Sequence, residues 1–510
     1  MLSVALVTVL IPVVIAYFVI NAYKKPKNFP PGPPSLPIYG AFPILRALGK
    51  RDLAKSCRKL SEIYNTKVLG FFLSIYPFVV VSGEALIREM LTRDEFDGRT
   101  DIFVARLRSY WKRLGIFFTD GYFWFVQRRF TLRQLREFGF GRRSACLEEV
   151  LDNEIREMID MIANGPKYPA EKEIVKGDLV YLHMCFGMPF MNGLMHVMTQ
   201  TTLPRSDYHL LWKMSENAMK FQMNTDDFGG AICLTPSLKD LAPNLSGYNK
   251  MREGSQYMLD FFKKYVEEAL ATYDESYDRH FLDSYIRKMK EEQRQSDKTT
   301  YSAEQLILTC VDYMLPSATG VEIMLSMLVE RMLIQPEIQE RVHEEIDRVV
   351  GRDRRPTLDD RINMPYTEAC IREVMRHDTL VPMGIPHRAV KDTTIGGYDL
   401  AENTTIAANY ESLHFSKEIW GDPENFRPER FIENGRINVS LDRSLPFGAG
   451  RRLCAGETYA RQTMFQVFSA FMQAFQVSTA DGKPHLKPVP RLQGIINTLP
   501  EFWARVTPRN

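Results

Sequence analysis

The sequence predicts a mainly helical protein with small β-sheets (α+β), built as one large domain behind an N-terminal transmembrane anchor. Apolar residues recur with a helical period of 3.6 over seven long segments: 143–162, 206–222, 250–273, 302–334, 336–350, 366–377 and 456–475. Strand-like pieces are few and short: Val68–Phe72, Phe78–Val81 and Thr404–Ala408. Hydrophobic residues make up 45% and charged residues 25% of the 510, which excludes a disordered chain, a fibre and a many-span membrane protein.

Charge and cysteine usage exclude further classes. The 65 Lys and Arg against 63 Asp and Glu give a net charge of +2, so a generally basic nucleic-acid binder is not indicated. The seven cysteines are scattered and form no C-x-x-C pair, which is typical of a reducing compartment and excludes a disulfide framework or a zinc ribbon.

The first 37 residues predict an anchor and a linker. Residues 2–23 carry no charge and are long enough to cross a membrane. Lys24, Lys25 and Lys27 follow, which places the body of the protein on the cytosolic side. The alternative is a cleaved secretory signal. We therefore expect a transmembrane signal anchor at 1–23, a basic and proline-rich linker at 24–37 and a catalytic domain at 38–510. The linker is stiff and suits holding the domain against the bilayer; a simple spacer or an SH3 ligand is the alternative.

Two local patterns bear on the long segment 302–334. The charged run 287–298 before it is interpreted as an exposed loop between helices. Ser302 and Gln305 match a capping box that begins a long helix.

One cysteine has an unusual environment, the run from Phe447 to Gly456 that contains Cys454. Three glycines allow close backbone approach, and Arg451 and Arg452 lower the cost of a thiolate. An apolar helix follows from Glu457, and its N-terminal dipole favours the same charge. A lone thiolate suits a soft metal whose other ligands come from a cofactor, and haem leaves an axial position that Cys can fill. The alternative is a buried structural cysteine.

These residues resemble a known family. Phe447, Gly450, Arg452, Cys454 and Gly456 match the spacing F-x-x-G-x-R-x-C-x-G, which is similar to the haem-binding signature of cytochrome P-450. Five such identities recur by chance on the order of 10⁻⁴ times in a chain of this length. The resemblance implies the cytochrome P-450 fold, with Cys454 as the axial ligand of haem (iron protoporphyrin IX). The sequence most resembles those of insect microsomal members of the family.

Other motifs of the family follow in order. The resemblance makes Glu373, Arg376 and Arg430 a structural triad behind the haem. It also assigns contacts to the haem propionates to Arg99, Trp124, Arg128, His387 and Arg452. The family's layout places six further residues in the substrate pocket: Phe103, Phe117, Tyr313, Leu315, Met383 and Ile385.

The sequence departs from the family on the oxygen-activating helix. Where the family has an acid followed by threonine, this chain has Thr319 and Gly320. Gly320 and Pro316 weaken the helix there. We expect a local break in the helix that admits water, with Thr319 or Ser317 delivering protons from a neighbouring position. The alternative is that water alone delivers the protons.

The resemblance implies a monooxygenase in the endoplasmic reticulum (microsomal) membrane that puts one oxygen atom into a hormone, a lipid or a xenobiotic. Electrons come from NADPH through a flavin reductase, with cytochrome b5 as a further partner, because the chain has no nucleotide fingerprint of its own. An isomerase or dehydratase of peroxides and a non-catalytic haem-binding protein stay open as alternatives. Arg129, Arg133 and Arg136 share one helix face, extended by Arg142 and Arg143, and this face is the expected reductase dock or else merely solvated.

Overall fold

The computed structural model describes residues 25–224, 230–296, 298–482 and 487–509, and Val13. The predicted anchor at 1–23 otherwise lies outside the described residues. The helices of the described residues are α1 Phe42–Gly49, α2 Leu53–Ile63, α3 Glu84–Thr92, α4 Phe103–Leu107, α5 Gly121–Glu137, α6 Ala145–Ala163, α7 Gly187–Thr199, α8 Tyr208–Asn224, α9 Gly230–Leu234, α10 Leu238–Leu241, α11 Tyr248–Ala271, α12 Phe281–Gln295, α13 Ala303–Ser317, α14 Gly320–Ile334, α15 Pro336–Val349, α16 Pro365–His377, α17 Tyr410–His414, α18 Lys417–Trp420 and α19 Glu457–Ala474.

The strands are short and form small sheets. They are β1 Val68–Leu73, β2 Tyr76–Val81, β3 Gly98–Arg99, β4 Val175–Lys176, β5 Leu179–Tyr181, β6 His387–Arg388, β7 Thr393–Ile395, β8 Tyr398–Leu400, β9 Thr405–Ala408, β10 Ile432–Glu433, β11 Arg436–Ile437, β12 Phe475–Thr479, β13 Leu492–Gln493, β14 Asn497–Thr498 and β15 Trp503–Pro508. The largest sheet has the order β1-β2-β9-β6-β3, and a second sheet has the order β12-β15-β5-β4. The predicted fold class, mainly α with small sheets, is confirmed.

The predicted helices form where an apolar stripe meets the core. In α15, for example, Pro336 occupies the first turn, and Ile338, Val342 and Ile346 are buried at intervals of four residues. The interior is one large core around α13, α14 and α19, with smaller clusters against the five-stranded sheet. The proline-rich linker lies on that sheet, where the amide N–H of Gly70 donates to the carbonyl of Pro31 at 2.9 Å.

The interpretation of the charged run 287–298 as a loop is wrong. Its residues up to Gln295 belong to α12, which buries Phe281, Tyr285 and Met289 on one face. Its charges lie on the opposite face, where Lys288 and Glu292 pair at 2.8 Å. The high density of charge correctly indicated that this segment is exposed to solvent. The polar face of an amphipathic helix is exposed just as a loop is, so exposure alone does not indicate a loop.

The long segment 302–334 is two helices instead of one. Ser302 caps α13 by accepting from the amide N–H of Gln305 at 3.1 Å, as predicted, whereas the Gln305 side chain bonds elsewhere. The helix is interrupted at Ala318 and Thr319, just after Pro316. Among the described residues, Ala303–Ile334 is long and apolar enough to span a membrane, but 89% of its most apolar window is buried inside the protein.

Candidate active site

The cysteine loop, Phe447–Gly456, is closed by its own backbone. The amide N–H of Cys454 donates to the carbonyl of Phe447 at 2.9 Å, and Gly450–Arg452 form one 3₁₀ turn between them. Gly456 is the N-cap of α19, so free amide groups of a helix N-terminus lie beside the cysteine. Protein surrounds Cys454, and the accessible part of its side chain faces an internal cavity.

Gly450 holds the loop against α3. Its φ of +68° is in the left-handed region, and an added Cβ would overlap the carbonyl oxygen of Leu91 at the end of that helix. Glycine is required here for both reasons. The position of Cys454 is therefore fixed by backbone packing between the loop and α3.

Competing effects act on the thiol. Burial raises the pKa of Cys454, while the amide N–H of Gly456 and the nearby guanidinium of Arg128 lower it. The two arginines that precede the cysteine in sequence act elsewhere: Arg451 pairs with Asp97 at 2.8 Å, and Arg452 donates to the Asp97 carbonyl at 2.9 Å. Support for a thiolate therefore comes from the N-terminus of α19, as the sequence predicted, and from Arg128 on α5, which sequence adjacency did not reveal.

The cavity has a volume of about 350 Å³ and lies between the cysteine loop and the interrupted helix. Phe447, Gly456 and Cys454 contribute to its wall on one side, and Ser317, Thr319 and Gly320 on the other. Most of the wall is apolar. Such a chamber suits a large planar ring together with a lipophilic molecule.

Of the four arginines in the cavity wall, three interact with one another: Arg99, Arg128 and Arg452. Burial lowers the pKa of all three, to about 10 for Arg99 and about 8 for Arg452, and repulsion by the neighbouring arginines adds to the effect on Arg99 and Arg452. Their hydrogen bonds go largely to neutral carbonyls, such as that of Ile385 for Arg99 at 3.0 Å. Because carbonyls position these cations without neutralising them, the cluster suits a dianionic ligand.

Trp124 and His387 complete this end of the cavity. The Trp124 indole Nε1 is buried and has no hydrogen-bond partner among the described residues, and the guanidinium of Arg452 lies 3.7 Å from the ring centre. His387 Nδ1 lies 2.7 Å from the Phe96 carbonyl and donates to it, and burial holds the pKa of His387 well below its usual value. An orphaned donor beside three cations fits the two carboxylates of haem.

Cys454 belongs to no cluster of protein metal ligands among the described residues. Across residues 25–224, 230–296, 298–482 and 487–509, no three His, Cys, Asp or Glu side chains cluster as a metal site would require. The donor set therefore fits a metal that arrives with its own nitrogens, as the iron of haem does.

Comparison with known proteins agrees with this chemistry. Residues 30–502 match the family model for cytochrome P450. The chain belongs to the cytochrome P450 family. It is 29% identical over 503 residues to a farnesoate epoxidase of Bombyx mori, covering 97% of each chain. It is 31% identical over 468 residues to probable cytochrome P450 303a1 of Drosophila melanogaster, covering 90% of this chain and 91% of the other. To cytochrome P450 2B2 of Rattus norvegicus it is 29% identical over 504 residues, covering 97% and 98%.

As a cytochrome P450 the protein is a haem-binding oxidoreductase of the monooxygenase class. The family uses NADPH indirectly, through a redox partner, and acts on lipophilic substrates. The recognition from sequence is thus confirmed, and so is haem as the cofactor.

The interrupted helix of this P450 brings Thr319 and Gly320 to the cavity wall. Thr319 has φ −135° and ψ −53°, outside the helical region, and its hydroxyl donates to the Leu315 carbonyl at 3.0 Å. Ser317 donates to the Tyr313 carbonyl at 2.9 Å. Both hydroxyls keep free lone pairs, so each is able to accept a hydrogen bond from a molecule in the cavity.

Five of the six residues predicted to line the substrate pocket of this P450 contribute to the cavity wall: Phe117, Tyr313, Leu315, Met383 and Ile385. Phe103 does not belong to that wall. Its ring packs instead against the rings of Trp111 at 5.3 Å and Tyr248 at 6.2 Å.

Sequence reasoning missed a buried ion pair in the same wall, Arg108 with Asp312. The two residues are 204 positions apart, so no local spacing signals their contact.

Glu373, Arg376 and Arg430 form one buried cluster behind the cysteine loop. Glu373 lies 2.7 Å from Arg376 and 3.0 Å from Arg430, and the first two side chains are fully buried. Arg376 also donates to the carbonyls of His414 and Pro423, which ties α16 to the segment that leads toward the cysteine loop.

The arginines expected to receive a reductase are all exposed: Arg129, Arg133, Arg136, Arg142 and Arg143. Arg143 is paired with Glu148 and Asp359. The face that presents Arg129, Arg133 and Arg136 adjoins the face of α5 whose Arg128 donates to the Leu453 carbonyl, so this arginine face borders the cysteine loop.

Proposed function

We propose that this P450 is a membrane-anchored haem-thiolate monooxygenase with Cys454 as the axial ligand of the iron. The observation that carries the proposal is the thiol of Cys454, which faces the cavity without a protein co-ligand in the described chain and receives the amide N–H of Gly456. When bound, haem with a thiolate ligand supplies the reduction of dioxygen and the transfer of one oxygen atom to the substrate.

The chain's own residues hold the cofactor and shape the chamber. Arg99, Arg128 and Arg452 would neutralise the propionates, and Trp124 Nε1 would donate to one of them. Phe447, Gly450 and Gly456 would keep the backbone close to the ring on the cysteine side. Thr319 would pass a proton into the cavity in place of the family's acid and threonine, with Gly320 leaving room for water.

The substrate is a lipophilic molecule, a hormone, a lipid or a xenobiotic. The apolar wall formed by Phe117, Leu315, Met383 and Ile385 supports this class, with Tyr313 beside them. Because one relative is named farnesoate epoxidase, isoprenoid acids and their esters belong in the first panel of candidates.

A reconstituted system tests the activity. The full chain, loaded with haem and mixed with an NADPH-dependent flavin reductase and phospholipid, should oxidise NADPH and place one atom from ¹⁸O₂ in the product. Cytochrome b5 should serve as a second electron donor. Turnover of a lipid hydroperoxide without NADPH would instead indicate an isomerase or dehydratase, and haem binding with neither activity would indicate a non-catalytic protein.

We further propose the endoplasmic reticulum membrane as the location, with residues 1–23 as anchor, 24–37 as linker and 38–510 as a cytosolic catalytic domain. The sequons at Asn244 and Asn403 test the orientation, because both asparagines are exposed. On protein from insect microsomes, an endoglycosidase should leave the mobility unchanged. A sequon engineered into the first residues of the chain should be glycosylated as a control, and a shift of the parent protein would reverse the orientation.

A further inference from the structure

One ion pair in the cavity wall has no part in holding haem. Arg108 follows the end of α4, and Asp312 lies on α13. Their side chains are 3% and 1% exposed, and Arg108 Nη2 donates to Asp312 Oδ1. Both residues contribute to the cavity wall, and so do Ile116, Phe117 and Phe118 of the loop 113–118.

Both carboxylate oxygens of Asp312 accept hydrogen bonds from within the protein. Its Oδ2 accepts the amide N–H of Ile116 at 2.6 Å and that of Phe117 at 3.0 Å. Gly115, at φ +83°, brings the loop so close to Asp312 that a Cβ has no room, and its amide donates to Gln305 at 2.7 Å. The loop and the pair are therefore locked together, and Arg108 is held in place before any ligand binds.

The guanidinium group of Arg108 uses only part of its hydrogen-bonding capacity, through Nη2. Its Nε and Nη1 are buried and meet no hydrogen-bond acceptor among the described residues. The ring centre of Phe118 lies 5.6 Å from the guanidinium carbon. Leaving charged donors buried without an acceptor is costly, so an oxygen acceptor that enters the cavity next to Arg108 would be stabilised there.

We propose that Arg108 recognises an uncharged carbonyl oxygen, as in an ester or a ketone, on an otherwise lipophilic substrate. Asp312 already neutralises the guanidinium, so a carboxylate would add an uncompensated charge to an apolar chamber, whereas a carbonyl adds none. The inference rests on the proposed function for the reaction, but binding tests it independently of turnover.

A matched ligand series provides the first test. Methyl dodecanoate, dodecanoic acid and tetradecane have similar length and differ in the group offered to Arg108. Each is titrated into the haem-loaded full chain, with the shift of the haem Soret band and equilibrium dialysis as readouts. The ester should bind more tightly than the acid, and it should bind at least roughly tenfold more tightly than the alkane. An ester that binds no better than the alkane, or more weakly than the acid, overturns the proposal.

Two variants separate recognition from packing. The double variant Arg108→Met with Asp312→Asn removes both charges and keeps an oxygen for the loop amides. It should weaken the ester roughly tenfold and leave the alkane unchanged. Asp312→Asn alone leaves the guanidinium unopposed and should turn the preference toward the free acid, which a merely structural pair would not do. Equal losses for ester and alkane, or an unchanged preference in Asp312→Asn, contradict the assignment.

The two proposals fail separately. If NADPH-dependent product formation is absent while the ester preference and its loss in the double variant persist, the monooxygenase function is wrong and the Arg108 site stands. If lipophiles are oxidised but the variants do not change ligand preference, the function stands and the Arg108 site is wrong.

Discussion

The cysteine loop and the interrupted helix face each other across one cavity, yet they are built in opposite ways. In the loop, backbone contacts fix the cysteine: Cys454 bonds to Phe447, and Gly450 fits against Leu91. In the helix, Pro316 precedes a break at Ala318 and Thr319, where side-chain hydroxyls bond to carbonyls of the preceding turn. The loop keeps the family's motif and is closed by its backbone, whereas the helix departs from the family's residues at the point where it is interrupted.

The largest expected effect tests the cysteine loop. Cys454→Ala should abolish the carbon monoxide difference band of a thiolate-ligated haem, because no other cysteine in the described chain lies on the cavity wall. Cys146→Ala, which changes an exposed cysteine, should keep the band. A normal thiolate spectrum from Cys454→Ala would show that Cys454 is not the ligand of the haem iron.

A second substitution tests whether backbone packing fixes the cysteine. Gly450→Ala places a Cβ against the Leu91 carbonyl and should reduce haem content to a small fraction of the parent's. Gly435→Ala is the matched control, because Gly435 has a similar φ of +71° but open space around it. It should cost about 1–2 kcal/mol of backbone strain and retain haem. Equal haem content in both variants would show that the close approach is unimportant.

The same contrast explains what could be predicted from the sequence. The loop motif, the Glu373–Arg376 pair and the helices with a regular apolar stripe all depend on short spacings, which a sequence displays directly. The charged run in α12 was misread because exposure does not distinguish a helix from a loop. The pairing of Arg108 with Asp312 depends on how distant segments meet, and no local pattern encodes that.

A substitution on the helix tests whether the break has a chemical role. Thr319→Val keeps a β-branched shape suited to φ −135° and removes the hydroxyl. If that hydroxyl passes protons into the cavity, product formed per NADPH consumed should fall several-fold while substrate binding is unchanged. Ser317→Ala, which also removes a hydroxyl in this wall, is the control and should alter the ratio much less. Unchanged coupling in both variants would assign proton delivery to water alone, and a loss in Ser317→Ala only would assign it to Ser317.

The smallest expected effect concerns electron delivery to the cysteine side. Arg133→Glu with Arg136→Glu reverses two exposed charges on the arginine face of α5, next to the loop that holds Cys454. Reduction of the haem by the reductase should slow, and its dependence on salt should weaken, since complementary charge mainly speeds encounter. Turnover with an artificial peroxide should be unchanged, because it bypasses the reductase.

The control for this variant is Lys250→Glu with Lys264→Glu, two exposed charges on α11, a helix that packs against α8 and α13. It makes the same change in net charge, so any long-range effect of charge appears in both proteins. Slower reduction in the arginine variant alone would locate the dock on the arginine face of α5, next to the cysteine loop. Equal slowing in both variants would show that α5 is a solvated face and that the dock lies elsewhere.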